Sequence, residues 1–229
     1  MPPTLPNRPR GPKAKRVDTS AILDAAQEAF SEVGLQGASI RAIALRAGCD
    51  PALIYYHFES KEALFLALLD RKIPPLAEAL EGIAGPEDRR STLFRLWDAM
   101  GVFRKHFGAD PGFRSVLRGE IVRGAENTRE PIAQRLRRVS SCLWAILEQA
   151  KARGEVRPDL DPQLGGFFFV KLYLEILEVV PTMFPVVTGR DPVQALRQAE
   201  HAWMEIYWRG IAMDPTMPLP LLSDFEDLS

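Results

Sequence analysis

The sequence has few of the residues from which catalytic and metal sites are built. Its 229 residues include only two cysteines, Cys49 and Cys142, which form no disulfide framework and suit a reducing compartment. The three histidines, His57, His106 and His201, show no metal-ligand spacing, so we expect no metal site and no cofactor. No Ser-His-Asp set, glycine-rich phosphate loop or pair of carboxylates can be assembled. We therefore expect that the protein is not an enzyme.

Long hydrophobic runs and an excess of one charge are also lacking. The most apolar window, residues 165–180, is too short for a membrane span and contains Lys171, Glu175 and Glu178. The first residues include no apolar segment of a secretory signal, so we expect a cytoplasmic protein with no membrane partner. The chain has 29 basic and 30 acidic residues, a net charge of -1. Any attraction to nucleic acid must therefore be local.

Charge is concentrated at the two ends of the sequence. Residues 1–17 carry five basic residues and five prolines but no acidic residue, which predicts a flexible basic arm. Such an arm could reach a minor groove or neighbouring phosphates, or it could be a solvated tail. Residues 214–229 carry only acidic charges, which predicts an acidic tail.

The pattern between these ends predicts an all-α protein, because sustained alternation of apolar and polar residues is nearly absent. The first helix is predicted from Asp18 or Thr19 to Gly34. Pro74 and Pro75 are expected to kink or break the fourth helix. Later helices are predicted at residues 86–107, 112–123, 128–153, 162–180 and 192–212. Residues 18–64 and 65–213 then form two helical domains.

Two short helices joined by a glycine turn lie within the first of these domains. Ser39 caps the first short helix and Gly48 ends it, while Asp50 caps the second and Pro51 takes its first position. This is the layout of a helix-turn-helix.

The second short helix has an aromatic outward face. Its helical wheel turns Ile54 and Phe58 inward and Ala52 and Tyr56 outward, with Leu53 and Tyr55 at the flanks. Exposed tyrosines would form an apolar patch unless a partner such as DNA covers them. The alternative is that Tyr55 and Tyr56 pack as ordinary core.

The run "ILDAAQEAFSEVGLQGASIRAIALRAGCDPALIYYHFESKEALF" resembles the N-terminal DNA-binding domain of the TetR family of bacterial transcriptional repressors. The resemblance covers about residues 18–70 and rests on "AG", a Pro-headed helix, "YYHF" and "SK". It implies a three-helix DNA-binding domain followed by a larger helical ligand-binding and dimerisation domain. By the same resemblance, the positions that contact operator DNA are Ser39, Arg41, Pro51, Ala52, Leu53, Tyr55, Tyr56, His57 and Lys61.

Two positions depart from the pattern of the family. Leu53 stands where Ser or Thr is common, which replaces a polar contact by an apolar one and can shift base preference. Asp50 stands at a cap position often held by Ser, and we expect it to act as a cap first.

For the second domain the resemblance implies a ligand cavity. Its candidate lining residues are Trp97, Met100, Phe113, Trp144, Phe168, Tyr173 and Glu175, although large apolar residues at helical spacing are more often plain core. Glu175 either forms a surface pair with Lys171 or, if buried, favours a cationic or hydroxylated ligand. A mostly apolar pocket suits a small hydrophobic effector.

The last two helices carry an apolar stripe suited to pairing with a second subunit. A two-fold homodimer would present two reading helices to a palindromic double-stranded operator. The sequence thus favours a ligand-responsive repressor. The alternative is a helical protein-interaction module in which the "YYHF" patch binds a protein and no specific DNA.

Overall fold

The computed structural model describes residues 18–108, 110–123 and 126–216, without the side chains of residues 123, 126 and 127. The described residues form nine α-helices, a π-helical segment and no strand, so the predicted all-α class is confirmed. The helices are α1 (Thr19–Gly37), α2 (Ile40–Ala47), α3 (Pro51–His57), α4 (Lys61–Ala84), α5 (Thr92–Phe103), α6 (Pro111–Arg123), α7 (Glu126–Ala152), α8 (Pro162–Thr188) and α9 (Pro192–Ile211). The π-helical segment, Arg104–Gly108, lies between α5 and α6. The predicted basic arm, and the tail from residue 217 onward, lie outside the described residues.

The chain divides into two compact units, the first ending at Phe65 and the second beginning at Leu66. Helix α4 spans this boundary. The core of the first unit is built around Phe30 and Phe65, whose rings meet edge to face with centroids 6.1 Å apart. Its other fully buried members include Ile22, Ala26, Leu35, Ile43, Ile54 and Leu64.

The end of α1 differs in detail from its prediction. Gly34 has φ 73° and ψ 170°, a backbone conformation that favours glycine, and it interrupts the helix at the predicted position. A further helical turn then continues to Gly37 and buries Leu35. No basic residue lies in this last turn of α1.

Pro74 and Pro75 were predicted to kink or break the fourth helix, and of these two effects the break is wrong. Helix α4 contains both prolines and continues to Ala84. Its turns on either side are anchored by buried side chains, including Leu69, Ile73 and Leu76. Packing of this apolar face therefore outweighs the two backbone hydrogen bonds that the prolines remove.

The core of the second unit is rich in aromatic residues. Phe107 stacks between Phe103 and Phe113, with ring centroids 6.3 Å and 6.2 Å away. The ring of Phe169 meets that of Tyr207, which joins α8 to α9. These contacts hold the π-helical segment and the two last helices to one core.

Helix α5 begins at Thr92, whereas the sequence predicted that it begins at residue 86. A turn occupies the intervening residues, in which Asp88 accepts hydrogen bonds from the backbone and guanidinium of Arg90. These hydrogen bonds lower the pKa of Asp88 to about 2. The buried guanidinium of Arg95 lies below this turn and donates to the carbonyls of Ile83 and Gly85 at the end of α4.

Helix α8 extends past its predicted end at residue 180, through Pro181 and Pro185, to Thr188. Pro181 has no amide proton, so the carbonyl of Leu177 loses its helical partner. The buried side chain of Arg114 supplies a replacement, since its Nη2 lies 3.3 Å from the Leu177 oxygen. Its Nη1 also donates to the carbonyl of Phe107 at 2.7 Å. Arg114 therefore links α6 to the π-helical segment and to the proline-containing part of α8.

Candidate nucleic-acid interface

Local hydrogen bonds define where α2 begins and ends. The Ser39 side chain accepts a hydrogen bond from the Ala42 amide at 3.2 Å, which caps the helix as predicted. Gly48 ends it in the left-handed region with φ 66°. The inner face of α2 is short, since Ile43 and Ala44 are its two buried residues.

Helix α3 begins with the predicted cap and proline. Asp50 Oδ1 lies 2.8 Å from the amide of Ala52, and Pro51 follows at the first helical position. Asp50 therefore acts as a cap, which places its negative charge on the exposed helix amides. Ile54 is fully buried and anchors the helix from below. Phe58, predicted to face inward with it, is half-buried and ends the helix.

The outer face of α3 is exposed and aromatic. Tyr56 is 83% exposed and Tyr55 is 58% exposed, so neither ring is part of the core. Ala52 and His57 are also exposed, whereas Pro51 and Leu53 are half-buried. The rings of Tyr56 and His57 meet edge to face at 5.1 Å. The predicted orientation of this helix is confirmed.

Helix α2 adds a polar edge and one residue that the sequence reasoning missed. Ser39 and Arg41 are exposed near its start. Leu45, one turn after Arg41, is 84% exposed, although it is a large apolar residue. Its spacing of four from Arg41 was the available signal for including it on this face.

Two cations of the first unit have different partners, a carboxylate for Arg46 and main-chain carbonyls for Lys61. Arg46 forms two hydrogen bonds with Glu32 of α1, at 2.8 Å and 2.7 Å, and these lower the pKa of that carboxyl group. Its role is therefore to pair α2 with α1. Lys61, at the start of α4, donates to the carbonyls of Gln36 and Ala38 at 3.0 Å and 3.1 Å.

Cys49 lies half-buried in the turn between α2 and α3. Burial raises the pKa of its thiol, and the charge of Asp50 raises it further. The neutral thiol is therefore favoured, which suits a packing role more than a reactive one.

The candidate ligand residues of the second unit lie in different environments. Met100, Phe113 and Tyr173 are buried in its core. Trp97 and Trp144 are half-buried, whereas Phe168 is 51% exposed and contacts Phe167.

Glu175 is half-buried and pairs with Lys171 at 2.5 Å and with Arg118 at 3.0 Å. The hydrogen bond from Lys171, with the nearby Arg118, lowers its pKa. Glu175 therefore forms a paired carboxylate at the surface, which is the first of the two alternatives for this residue.

A groove of about 360 Å³ runs along α8 and reaches α9. It is lined by Leu172, Glu175, Ile176, Val179, Val180 and Trp203. Only Glu175 among these was a predicted ligand residue, because helical spacing alone does not show which apolar side chains stay uncovered.

A buried polar chain inside the second unit could not be read from the sequence. The hydroxyl of Tyr173 donates to Glu200 Oε1 at 2.5 Å, and Arg104 donates to Glu200 Oε2 at 2.7 Å. Tyr173 is fully buried and Glu200 nearly so. Burial and the neighbouring carboxylate raise the pKa of the tyrosine, so it remains a proton donor. The chain links α8, α9 and the π-helical segment.

The described residues lack two further kinds of feature. They contain no group of three or more His, Cys, Asp or Glu side chains that could hold a metal ion. None of their helices is long and apolar enough to cross a membrane.

Comparison with known structures gives the fold. The structure is similar to that of FadR from Bacillus subtilis in complex with stearoyl-CoA, with a TM-score of 0.70 and 22% identity over 85% of this chain and 100% of that one. It also resembles KstR2 of Mycobacterium tuberculosis, with a TM-score of 0.64 and 23% identity over 90% and 99% of the two chains. Both likenesses show the fold alone.

Sequence relatives add the function class. The transcriptional regulator UidR of Escherichia coli K12 is 28% identical over 165 residues, which cover 68% of this chain and 78% of UidR. The transcriptional repressor NicS of Pseudomonas putida is 29% identical over 167 residues, 68% of this chain and 74% of NicS. Residues 22–68 match the model of bacterial regulatory proteins of the tetR family. Residues 22–68 therefore resemble the helix-turn-helix domain of the tetR family, and the sequence relatives of the chain are transcriptional regulators.

Proposed function

We propose that this protein is a homodimeric repressor that binds a palindromic operator and is released by a small hydrophobic ligand. The observation that carries the proposal is the exposed aromatic face of α3, where Tyr56 is 83% and Tyr55 is 58% exposed above a fully buried Ile54. A regulator that leaves two adjacent rings in water needs a partner surface to cover them. A DNA groove supplies that surface and hydrogen-bonding groups for the tyrosine hydroxyls.

The proposed contacts fall into two groups. Ala52 and Leu53 are small or apolar and suit the methyl groups of thymine, while the other residues have donors or a rigid ring for the backbone and groove walls. The full proposed set is Ser39, Arg41, Pro51, Ala52, Leu53, Tyr55, Tyr56, His57 and Lys61.

The electrostatic part of binding is local. The whole chain has a net charge of -1, and Arg46 is engaged by Glu32. Arg41 and Lys61 are therefore the described cations that we assign to phosphate contacts. Replacement of counterions by a few cations makes binding fall steeply with salt concentration.

The apolar surface of α8 supports the proposed dimer. Large apolar side chains four or seven residues apart are exposed along one face of α8: Leu164, Phe168, Leu172, Val179 and Met183. The groove described above lies in the same face and is open to an incoming side chain. On α9, the helix that follows α8, Ile206 is 68% exposed. A second copy of α8 and α9 would cover this surface in a four-helix interface.

We assign the ligand to the aromatic interior of the second unit. FadR, which shares the fold, was solved with stearoyl-CoA bound, and KstR2 is described as a ketosteroid regulator. Both names point to small molecules with a hydrophobic part, an acyl chain or a steroid, and the stacked rings of Phe103, Phe107 and Phe113 offer a matching environment for such a part here. Of the ligand residues predicted from the sequence, we propose Trp97, Met100, Phe113, Trp144 and Tyr173 for this interior, whereas Phe168 and Glu175 lie at the surface and outside it.

Helix α4 is the proposed link between ligand and DNA. It begins at Lys61 in the first unit and continues into the second unit. There the Lys72 ammonium group lies 2.8 Å from the carboxylate of Asp110, just before α6. Arg135 of α7 holds Asp70 on the same helix with two hydrogen bonds of 2.7 Å and 2.8 Å. A ligand that moves α6 or α7 would therefore move α4. Such a ligand favours the dimer conformation that does not fit the operator.

Selection of bound duplexes from random-sequence DNA tests the proposal. A dimer enriches an inverted repeat whose half-sites are about 34–36 Å apart, or a multiple of that spacing. Failure to enrich any sequence contradicts the proposal and favours the protein-interaction module. A thermal-shift screen of fatty acyl thioesters and sterols then tests the ligand class, since a binder raises the melting temperature.

A further inference from the structure

Lys61 has a position that a plain phosphate contact does not require. It lies half-buried at the first position of α4, and its ammonium group donates two hydrogen bonds to main-chain carbonyls 23 and 25 residues earlier. The acceptors are Gln36, at 3.0 Å, and Ala38, at 3.1 Å. Gln36 lies in the last turn of α1, and Ala38 lies in the connection between α1 and α2.

The end of α1 explains why these carbonyls need a partner. The last carbonyls of a helix have no amide within the helix to bind, and a nearby cation commonly satisfies them. Gly34 has already interrupted α1, and no basic residue lies in its last turn. Lys61 therefore supplies from α4 the positive charge that the end of α1 lacks.

The same carbonyls lie just before α2, the first helix of the helix-turn-helix. Ala38 precedes Ser39, the cap of α2, and Arg41 is in the first turn of that helix. Fixing the main chain at residues 36 and 38 fixes where α2 starts, and with it the placement of Ser39 and Arg41. An ammonium group has three N–H donors, so two bonds to carbonyls still leave one for a phosphate oxygen.

We propose that Lys61 is a positioning residue for the reading surface, which holds the α1–α2 connection against α4 before DNA arrives. The predicted effect of Lys61 on DNA affinity rests on the DNA-binding function proposed above. Its structural half concerns the DNA-free protein and can be tested without an operator.

Hydrogen exchange of the DNA-free full chain tests the structural half. The reporting amides are those of Ala38, Ala42 and Ile43, which bond to Gly34, to the Ser39 side chain and to the Ser39 carbonyl. In Lys61→Met they should exchange about tenfold faster, the factor expected when a charge-assisted hydrogen bond is lost. Peptides from α8 and α9 serve as an internal control for folding and should not change.

Arg41→Met is the matched control, because it removes an exposed cation from the same surface without touching the carbonyls of Gln36 and Ala38. It should leave the exchange rates unchanged and weaken DNA binding. Lys61→Arg, which keeps a cationic donor at the position, should recover part of the protection. Equal exchange in Lys61→Met and wild type overturns the proposal.

Operator affinity separates positioning from an independent phosphate contact. If Lys61 positions Arg41, the loss caused by Arg41→Met should be at least about threefold smaller in the Lys61→Met background. Additive losses overturn the positioning role in binding. If wild-type protein binds no duplex at all, the proposed function fails, while the exchange rates still decide whether Lys61 holds the connection.

Discussion

Replacement of Tyr56 by alanine isolates the reading surface from the fold. The side chain is 83% exposed, and its ring meets the exposed ring of His57 edge to face. Little of it is buried in the free protein, so the free energy of unfolding should change by no more than about 0.5 kcal/mol. Any large effect of Tyr56→Ala must then arise in the complex with DNA.

The expected loss in affinity follows from the exposed area. A tyrosine side chain buries roughly 200 Å² when fully covered, so 83% exposure leaves about 170 Å² available. Covering about half of this area, at roughly 25 cal/mol per Å², contributes about 2 kcal/mol per subunit. That is about a thirtyfold change in Kd for each reading head, and about a thousandfold for a dimer that uses both.

Fluorescence anisotropy on a selected duplex measures this loss, with urea unfolding of the same samples as the stability control. Tyr56→Phe keeps the ring and removes only the hydroxyl, so its loss should be smaller than that of Tyr56→Ala. Wild-type affinity in Tyr56→Ala would refute the placement of this ring at DNA. Equal losses in affinity and in unfolding free energy would show that the ring supports the fold instead.

Three further predictions concern stability. Asp50→Ala removes the cap of α3 and should lower the free energy of unfolding in urea by about 1 kcal/mol; no change would show that the cap is redundant. Arg114→Met leaves the Leu177 carbonyl unpaired and should cost about 1–3 kcal/mol, part of which Pro181→Ala recovers by restoring an amide donor; purely additive costs would contradict this. The folded-state pKa of Asp88 is lowered from 3.8 to about 2, so its contribution is present above pH 3.8 and is lost as the pH falls towards 2. Wild type should therefore lose about 1–2 kcal/mol more than Asp88→Asn over that range, and parallel acid profiles would refute it.

The parts of the fold that the sequence predicts well are fixed by neighbouring residues. Ser39 and Asp50 each bond an amide two or three residues later, so their capping role depends on local geometry alone. Gly34 and Gly48 adopt positive φ at the predicted helix ends. The outward orientation of Tyr56 follows from the helical period once Ile54 is taken as the inward residue.

The predictions that failed depend on distant residues. Helix α8 continues through Pro181 because Arg114 donates to the Leu177 carbonyl. Arg114 lies 67 residues before Pro181 in the sequence. A prediction from neighbouring residues takes into account only the amide hydrogen that proline lacks. Helix α4 likewise continues through Pro74 and Pro75 because tertiary packing anchors the turns on both sides.

The interior of the second unit was the least predictable part of the candidate sites. Phe168 and Phe169 are adjacent, yet the first is 51% exposed and the second is fully buried. The partner of Tyr173 is Glu200, on the following helix. Helical spacing gives the faces of each helix, but which face meets another helix depends on the packing of the whole unit.

The central claim is that the two tyrosines of α3 lie against DNA. Hydroxyl-radical labelling with mass spectrometry measures it directly, because Tyr55 and Tyr56 are 58% and 83% exposed in the free protein and should label readily. Addition of a selected operator duplex should strongly reduce labelling of both rings and leave Met213, which is 59% exposed in the other unit, unchanged. Equal labelling of the tyrosines with and without DNA would contradict the account.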